Sequence, residues 1–425
     1  MRIAMVSEHA SPLAAIGGVD AGGQNVHVAS LAAALAARGH TITVYTRRDD
    51  AELPRRVSMQ KGVEVVHIDA GPARPVPKDE LLPWMDDFGD ELAAEWDAAP
   101  PDVVHTHFWM SGLAALRAAD NLGAARPPIV QSFHALGHVK RRHQGADDTS
   151  PAERARLEPY VGHTVDRVIS TCSDEAFELH QMGVLTAKIS FTPCGVDTAL
   201  FDPDGPLEQR SDRFRVVALG RLVPRKGIEL AIDAMALLRD RGVDDVELDI
   251  VGGSTPEAGI DADPDIQRLA AHTRRHGVTD RVRFRGQVPH AELPALLRSA
   301  DAVACTPWYE PFGIVPLEAM STGVPVIATA VGGLLDTVVH EVTGLRVPPR
   351  DAPAVADAIL ALRTEPAWAK TLGRNGRQRV ERLYTWGRVA ADTERIYRQT
   401  CAETEAKMAG TAHRVPLHLG QAVAR

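Results

Sequence analysis

Short apolar, β-branched runs alternate with longer amphipathic segments from one end of this chain to the other, and the series is run twice. That alternation is the pattern of strand–helix units wound around parallel sheets. In the first series the predicted strands are Arg2–Ser7, Thr41–Thr46, Val63–Ile68, Val103–His107, Ile129–Ser132, Val168–Thr171 and Ile189–Thr192. A helix over Asn25–Arg38 joins the first two, and Gly39 supplies its left-handed stop. The second series runs through Phe214–Leu219, Glu247–Val251, Val282–Arg285, Ala302–Thr306, Val324–Ala328 and Gly344–Val347. At 425 residues the chain exceeds one ordinary core, so two doubly wound α/β domains are expected.

The stretch from Pro193 to Asp212 is rich in Pro, Gly and Asp and has little periodicity, which marks it as the connection, with the boundary near Phe201 to Ser211. The expected division is residues 1–205, residues 206–384, a C-terminal helix over Trp386–Ala402 within 385–406, and a loosely ordered tail over 407–425.

Composition excludes several classes. A 44% hydrophobic and 24% charged chain is globular rather than disordered. A net charge of −9 offers no basic stripe for nucleic acid. The longest apolar run, around Val324 to Ala328, is far short of a transmembrane span, and the N-terminus reads as a strand rather than a signal peptide, so a cytoplasmic location is expected. Cys172, Cys194, Cys305 and Cys401 are widely spaced, with no CxxC pairing for a disulfide framework or a zinc ribbon.

Sheets of this type bind ligands at the carboxyl ends of their strands, and the informative residues do follow strands. After the first comes GGVDAGGQNVHV, with Gly17, Gly18, Gly22 and Gly23 ahead of a helix. Glycines there let the backbone approach a phosphate, and the helix N-terminus attracts it, although such turns also close ordinary loops. The turn is not GxGxxG, and the next strand ends in Arg47 and Arg48 where an NAD enzyme wants an acid. In the second half, Gly220 to Gly227 reads GRLVPRKG, placing Arg221 and Lys226 on one post-strand loop. Two such cations can face one anion and stabilise a departing diphosphate. Next, EPFGIVPLEAM puts Glu310 on a loop and Glu318 on the first turns of a helix starting near Pro316, with backbone N–H groups between them. That spacing suits a ligand with hydroxyls at both ends and a phosphate in the middle.

These three motifs together resemble glycosyltransferase family four, a retaining family with the GT-B fold, over about residues 1–397. The chain is most similar to the branch that holds sucrose-phosphate synthases and the mycothiol-pathway glycosyltransferase, through AGGQNVHV, HTHFWMSG (His105 to Gly112) and SFHALGHVK (Ser132 to Lys140). The resemblance implies two Rossmann-like domains facing across a cleft and a C-terminal helix crossing back to the first. It implies a transfer from a nucleotide diphosphate sugar, the co-substrate, to a small acceptor, with no cofactor or metal required. UDP-sugar is favoured over GDP-mannose, and a homodimer is allowed. Arg221, Lys226, Glu310 and His134 are the implied catalytic residues. Gly23, Val288, Gly313, Ile314, Val315 and Glu318 would hold the donor, with Gln287 beside Val288 near the base. Lys78, Phe108, Ala135 and Lys140 would face the acceptor, and Arg154 or Arg156 would complete that set. Phe108 and Ala135 stand where the mycothiol enzyme uses tyrosine and threonine hydroxyls to hold an acceptor phosphate, which implies a changed acceptor. His105, His107, His134, His138 and His143 lack an accompanying carboxylate or Cys at ligand spacing, and Asp86-Asp87 lacks the context of a metal-holding motif. A non-enzymatic two-lobed sugar-binding protein is the alternative of a different class, but it has no need of paired diphosphate cations.

Overall fold

The computed structural model describes residues 1–14 and 22–412, so Gly17 and Gly18 of the glycine turn, and residues 413–425 of the expected tail, lie outside the described residues. Among the described residues, fourteen strands form two sheets. The first contains β1 (Arg2–Val6), β2 (Thr41–Arg47), β3 (Arg56–Gln60), β4 (Val63–Ile68), β5 (Val103–His107), β6 (Ile129–Ser132), β7 (Arg167–Ser170) and β8 (Ile189–Phe191). Its order is β3-β4-β2-β1-β5-β6-β7-β8, and every pairing is parallel except β3 with β4. β3 is the strand the sequence reading missed. It is an edge strand whose residues are all exposed or half-buried, so no apolar run announces it.

The second sheet contains β9 (Phe214–Leu219), β10 (Val246–Val251), β11 (Val282–Gly286), β12 (Ala302–Cys305), β13 (Val326–Thr329) and β14 (Gly344–Val347), ordered β11-β10-β9-β12-β13-β14 and wholly parallel. Strands β5, β6 and β7 of the first sheet, with β12 and β13 of the second, are buried at every position, as sheets covered on both faces require. In each sheet the strand order reverses beside the first strand, between β1 and β5 and between β9 and β12. These are the two topological switch points, where crevices open at the carboxyl ends of strands.

Two expectations need correction. The last helix runs Trp386–Ala412, so the start of the expected tail is helical. Its Val389, Ala390, Ile396 and Tyr397 pack in one cluster with Ile3, Met5, Val28 and Leu31 of the first half, and burial of that apolar face holds it there. The connection near Phe201 to Ser211 is not free linker. Phe201 is buried, its carbonyl accepts from Ser321 Oγ at 2.6 Å, and Arg210 reaches Asp301 at 2.7 Å, which ties this segment to the second half. The chain crosses between halves earlier, at Val196, whose N–H donates to Tyr384 O at 2.8 Å beside a bridge to Thr385. Among the described residues, no helix is long and apolar enough to cross a membrane.

Candidate active site between the two halves

The wall from the second half is two loops stitched together. β9 runs into the Gly220–Gly227 loop, which ends in a left-handed Gly227 (φ 62°); a Cβ there would lie 2.2 Å from Thr306 O, so only glycine fits. Thr306 Oγ1 donates to Gly227 O at 2.8 Å, and Trp308 N donates to Arg225 O at 2.9 Å. This stitching carries Lys226 to Glu310, where the two form a largely buried ion pair. Burial alone would raise the Glu310 carboxyl, but Lys226, Arg225 and Arg221 outweigh it and hold it below its ordinary range. Gly313 (φ 76°) is the N-cap of the Ile314–Ser321 helix, which starts two residues before the expected Pro316. Pro316 still falls in the first turn, where its missing N–H costs no helical bond. Glu318 is buried on that helix, and burial raises its carboxyl despite His290 Nε2 at 3.4 Å.

The wall from the first half is built of imidazoles. Asn25 Oδ1 accepts from Gly22 N at 2.9 Å, closing the turn that starts the Gly23–Ala37 helix. A Cβ on Gly23 would sit 3.4 Å from Ile314 Cδ1, so the two halves come close at this point. His134, after β6, holds a left-handed φ of 63°, and its Nε2 lies 2.9 Å from His107 Nδ1. His27 lies behind it, with ring centroids 5.1 Å from His134 and 6.2 Å from Phe312 of the other half. His105 lies 2.6 Å from Tyr397 Oη of the last helix and 2.9 Å from Ser132 Oγ. Burial lowers all four: His27 to about 4, His105 to about 3, and His107 and His134 well below the usual value. These four imidazoles are therefore neutral at physiological pH.

Both walls border one cavity of about 410 Å³ at the two switch points. From the first half it is lined by Gly23, Lys78, Phe108, His134 and Ala135, and from the second by Arg221, Lys226, Gln287, Val288, Glu310, Gly313, Ile314, Val315 and Glu318. Of the residues singled out from sequence for the donor, the catalysis and the acceptor, these converge, whereas Lys140, Arg154 and Arg156 do not line the cavity. The ammonium of Lys140 is held by Asp148 and Ser150 at 3.0 Å each, with Asp79 at 3.7 Å. Arg154 is likewise neutralised by Glu158 at 2.8 Å, and its guanidinium lies 4.9 Å from the Phe108 ring centroid. Arg156 is exposed, as are Asp86 and Asp87. Sequence reasoning missed His9, Arg225 and His290, which also line the cavity, and His27 behind it. Arg225 sits inside the recognised loop beside Lys226 and was open to detection; His27 reads as one polar residue on an Ala-rich helix.

A cavity of this make-up between two doubly wound sheets bears directly on what the chain resembles. Residues 21–200 match the family described as Glycosyltransferase Family 4, and residues 204–379 match Glycosyl transferases group 1. A D-inositol 3-phosphate glycosyltransferase of Jonesia denitrificans is 34% identical over 422 residues, covering 94% of this chain and 96% of that protein. The chain belongs to glycosyltransferase family four. Its GT-B fold is shared with sucrose-phosphate synthase of Thermosynechococcus elongatus, 33% identical with a TM-score of 0.84 over 95% of this chain and 99% of that one. Anabaena HepE, solved in complex with UDP and glucose, is 21% identical with a TM-score of 0.69, covering 96% and 99%, and shows the same fold. In this glycosyltransferase the switch points therefore differ in chemistry, a wall of clustered cations and carboxylates able to neutralise an anion facing one backed by neutral imidazoles able to donate and accept hydrogen bonds.

Proposed function

We propose that this glycosyltransferase is a retaining, metal-independent hexosyltransferase of the cytoplasm. It moves sugar from a nucleotide diphosphate donor, UDP-linked by preference, to a hydroxyl of a small polar acceptor. The observation that carries this reading is the convergence of Arg221, Arg225 and Lys226 with Glu310 and Glu318 on one cavity. Carboxylates to either side of a cation cluster suit hydroxyls flanking a diphosphate, and the Ile314–Ser321 N-terminus adds free N–H groups for oxygens between them. Glu318 would hold ribose, Glu310 donor-sugar hydroxyls, and Gln287 with Val288 the base.

In the transfer, the bond from the anomeric carbon to the diphosphate oxygen breaks as the acceptor oxygen bonds from the same face. The acceptor proton passes to an oxygen of the leaving phosphate, so no enzymic nucleophile is needed. Negative charge grows on the diphosphate, and Lys226 and Arg221 act most strongly there. Because side chains supply that neutralisation, the chemistry needs no divalent ion. His134 lies beside the reacting sugar and contributes hydrogen bonding rather than charge. On the acceptor side Lys78 lines the cavity, but Phe108 and Ala135 offer no hydroxyl and Arg154 and Lys140 are already paired, which together favour an acceptor without a phosphate. Closure of the halves over the donor completes the site.

A thermal-shift panel of UDP-, GDP- and ADP-sugars tests the donor. A ligand at 100 times its Kd stabilises by about 2.7 kcal/mol. A UDP-sugar should give the largest shift; no shift with any nucleotide sugar would remove the reading. Anomer analysis of the product then separates retention from inversion.

A further inference from the structure

Away from the cleft, one cluster of ligating side chains has no part in the transfer. The Ile228–Asp240 helix carries Asp233, and the neighbouring Pro264–Arg275 helix carries His272 in its last turn with His276 as its C-cap. Residues four apart lie one above the other on a helix, so both imidazoles leave the same face. Their ring centroids are 4.5 Å apart, and Asp233 Oδ1 lies 2.6 Å from His272 Nε2 and 3.4 Å from His276 Nε2. The three ligand atoms fall within 4.8 Å of one another, an arrangement met nowhere else among the described residues.

His272 hydrogen-bonds this carboxylate oxygen, and His276 on the same helix face brings a second Nε2 to it, so three side chains able to ligate a transition metal meet at one point. The geometry points to a binding site for a divalent transition-metal ion of the zinc class, held by Nε2 of His272 and His276 and by Asp233, which pins together two helices of the donor half. Two imidazoles and one carboxylate suit zinc, nickel or copper, whereas calcium and magnesium ask for more oxygen ligands. The side chains of Asp233, His272 and His276 are 32%, 17% and 39% exposed, which leaves open coordination positions to water. The carbonyl end of the second helix also favours a cation there.

Two arginines oppose the site without filling it. Arg275 Nη2 lies 3.2 Å from His272 Nδ1, and a metal on Nε2 leaves the ring proton on Nδ1, so the exposed Arg275 must turn away and give that N–H to water. Arg239 donates to the carbonyls of His276 and Gly277 and adds positive charge nearby. Both lower the affinity. None of the three ligands lines the cavity, so the ion stands outside the transfer reaction, and the site stands or falls independently of the donor assignment.

The test is calorimetric titration of zinc chloride into the full chain, stripped of metal and held in a non-chelating buffer. One site per chain is expected. Asp233→Asn and His276→Gln should each weaken it by at least the about 10–100-fold that loss of a ligand's outer-shell partner costs. Both variants should keep the wild-type thermal midpoint without metal, and His276→Gln should keep wild-type transfer activity. Cobalt(II) gives a second readout: d–d bands without a thiolate charge-transfer band are expected, and both variants should lose them. Equal zinc affinity in wild type and both variants, or a thiolate band that assigns the metal to cysteine, overturns the site.

Discussion

The first half backs its side of the cleft with imidazoles that burial keeps neutral and adds Lys78 at the cavity, while the second half lines its side with arginine, lysine and glutamate held close enough to balance one another. Imidazoles kept neutral set no charge requirement of their own. A charged wall is selective, since Lys226 without Glu310 or a bound anion would be a poorly compensated buried cation. Under the proposed function, the ion pair is a resting arrangement that a diphosphate would have to redistribute on binding.

The sharpest way to break this contrast is Lys226→Ala. It should cost about 2.7–4 kcal/mol in barrier, or about 10²–10³ in kcat, as for loss of one preorganised donor; steady-state rates within threefold of wild type would remove Lys226 from the charged wall. The neutral wall is tested by acid. An unfolded imidazole titrates near 6.5 and buried His27 near 4, so the unfolded chain takes the proton first. The contribution of His27 is complete above about 6.5 and is lost as pH falls toward 4, a change on the order of 3 kcal/mol. Urea unfolding across that range should show a shallower slope for His27→Leu than for wild type. An equal slope would mean that His27 is not held neutral. Glu310→Gln should weaken use of the donor sugar by about 1.5–3 kcal/mol, the worth of a hydrogen bond to a charged group, while free-nucleotide affinity changes less. Calorimetry with nucleotide and with nucleotide sugar would separate the two, and equal losses would place Glu310 on the nucleotide. The smallest effect concerns a contact between the halves. Asp336 accepts from Ser173 N at 2.6 Å and from Ser173 Oγ at 2.8 Å. The pair is solvent-exposed, so Asp336→Ala should lower stability by about 1 kcal/mol or less in denaturant titration. A larger loss would mean that the walls are held apart or together chiefly at this rim.

The charged wall was far more legible in the sequence than the neutral one. Arg221, Lys226, Glu310 and Glu318 follow strands at fixed spacings, and a charge after a buried strand stands out. The strands themselves were readable because a parallel sheet covered on both faces writes continuous apolar runs. What escaped depends on distant partners. His27 gains its environment from Phe312, Trp386 and His134, which lie far apart along the chain. Lys140 looked available because Asp79 and Asp148, which take its charge, announce nothing locally. The antiparallel β3 is amphiphilic and short, and Phe201 looked like linker because its burial depends on contacts with the second half.

The bridge between Val196 and Thr385 has a mechanical consequence. The polypeptide passes between its halves twice, and the two passages run side by side, joined by a hydrogen bond from Val196 to Tyr384. Tied together at one point, the two passages give the halves a shared crossing, so a change in one passage is felt by the other. Across the cleft the halves meet again where a Cβ on Gly23 would lie 3.4 Å from Ile314 Cδ1, so the two lobes are pinned at their crossing and touch at their mouth.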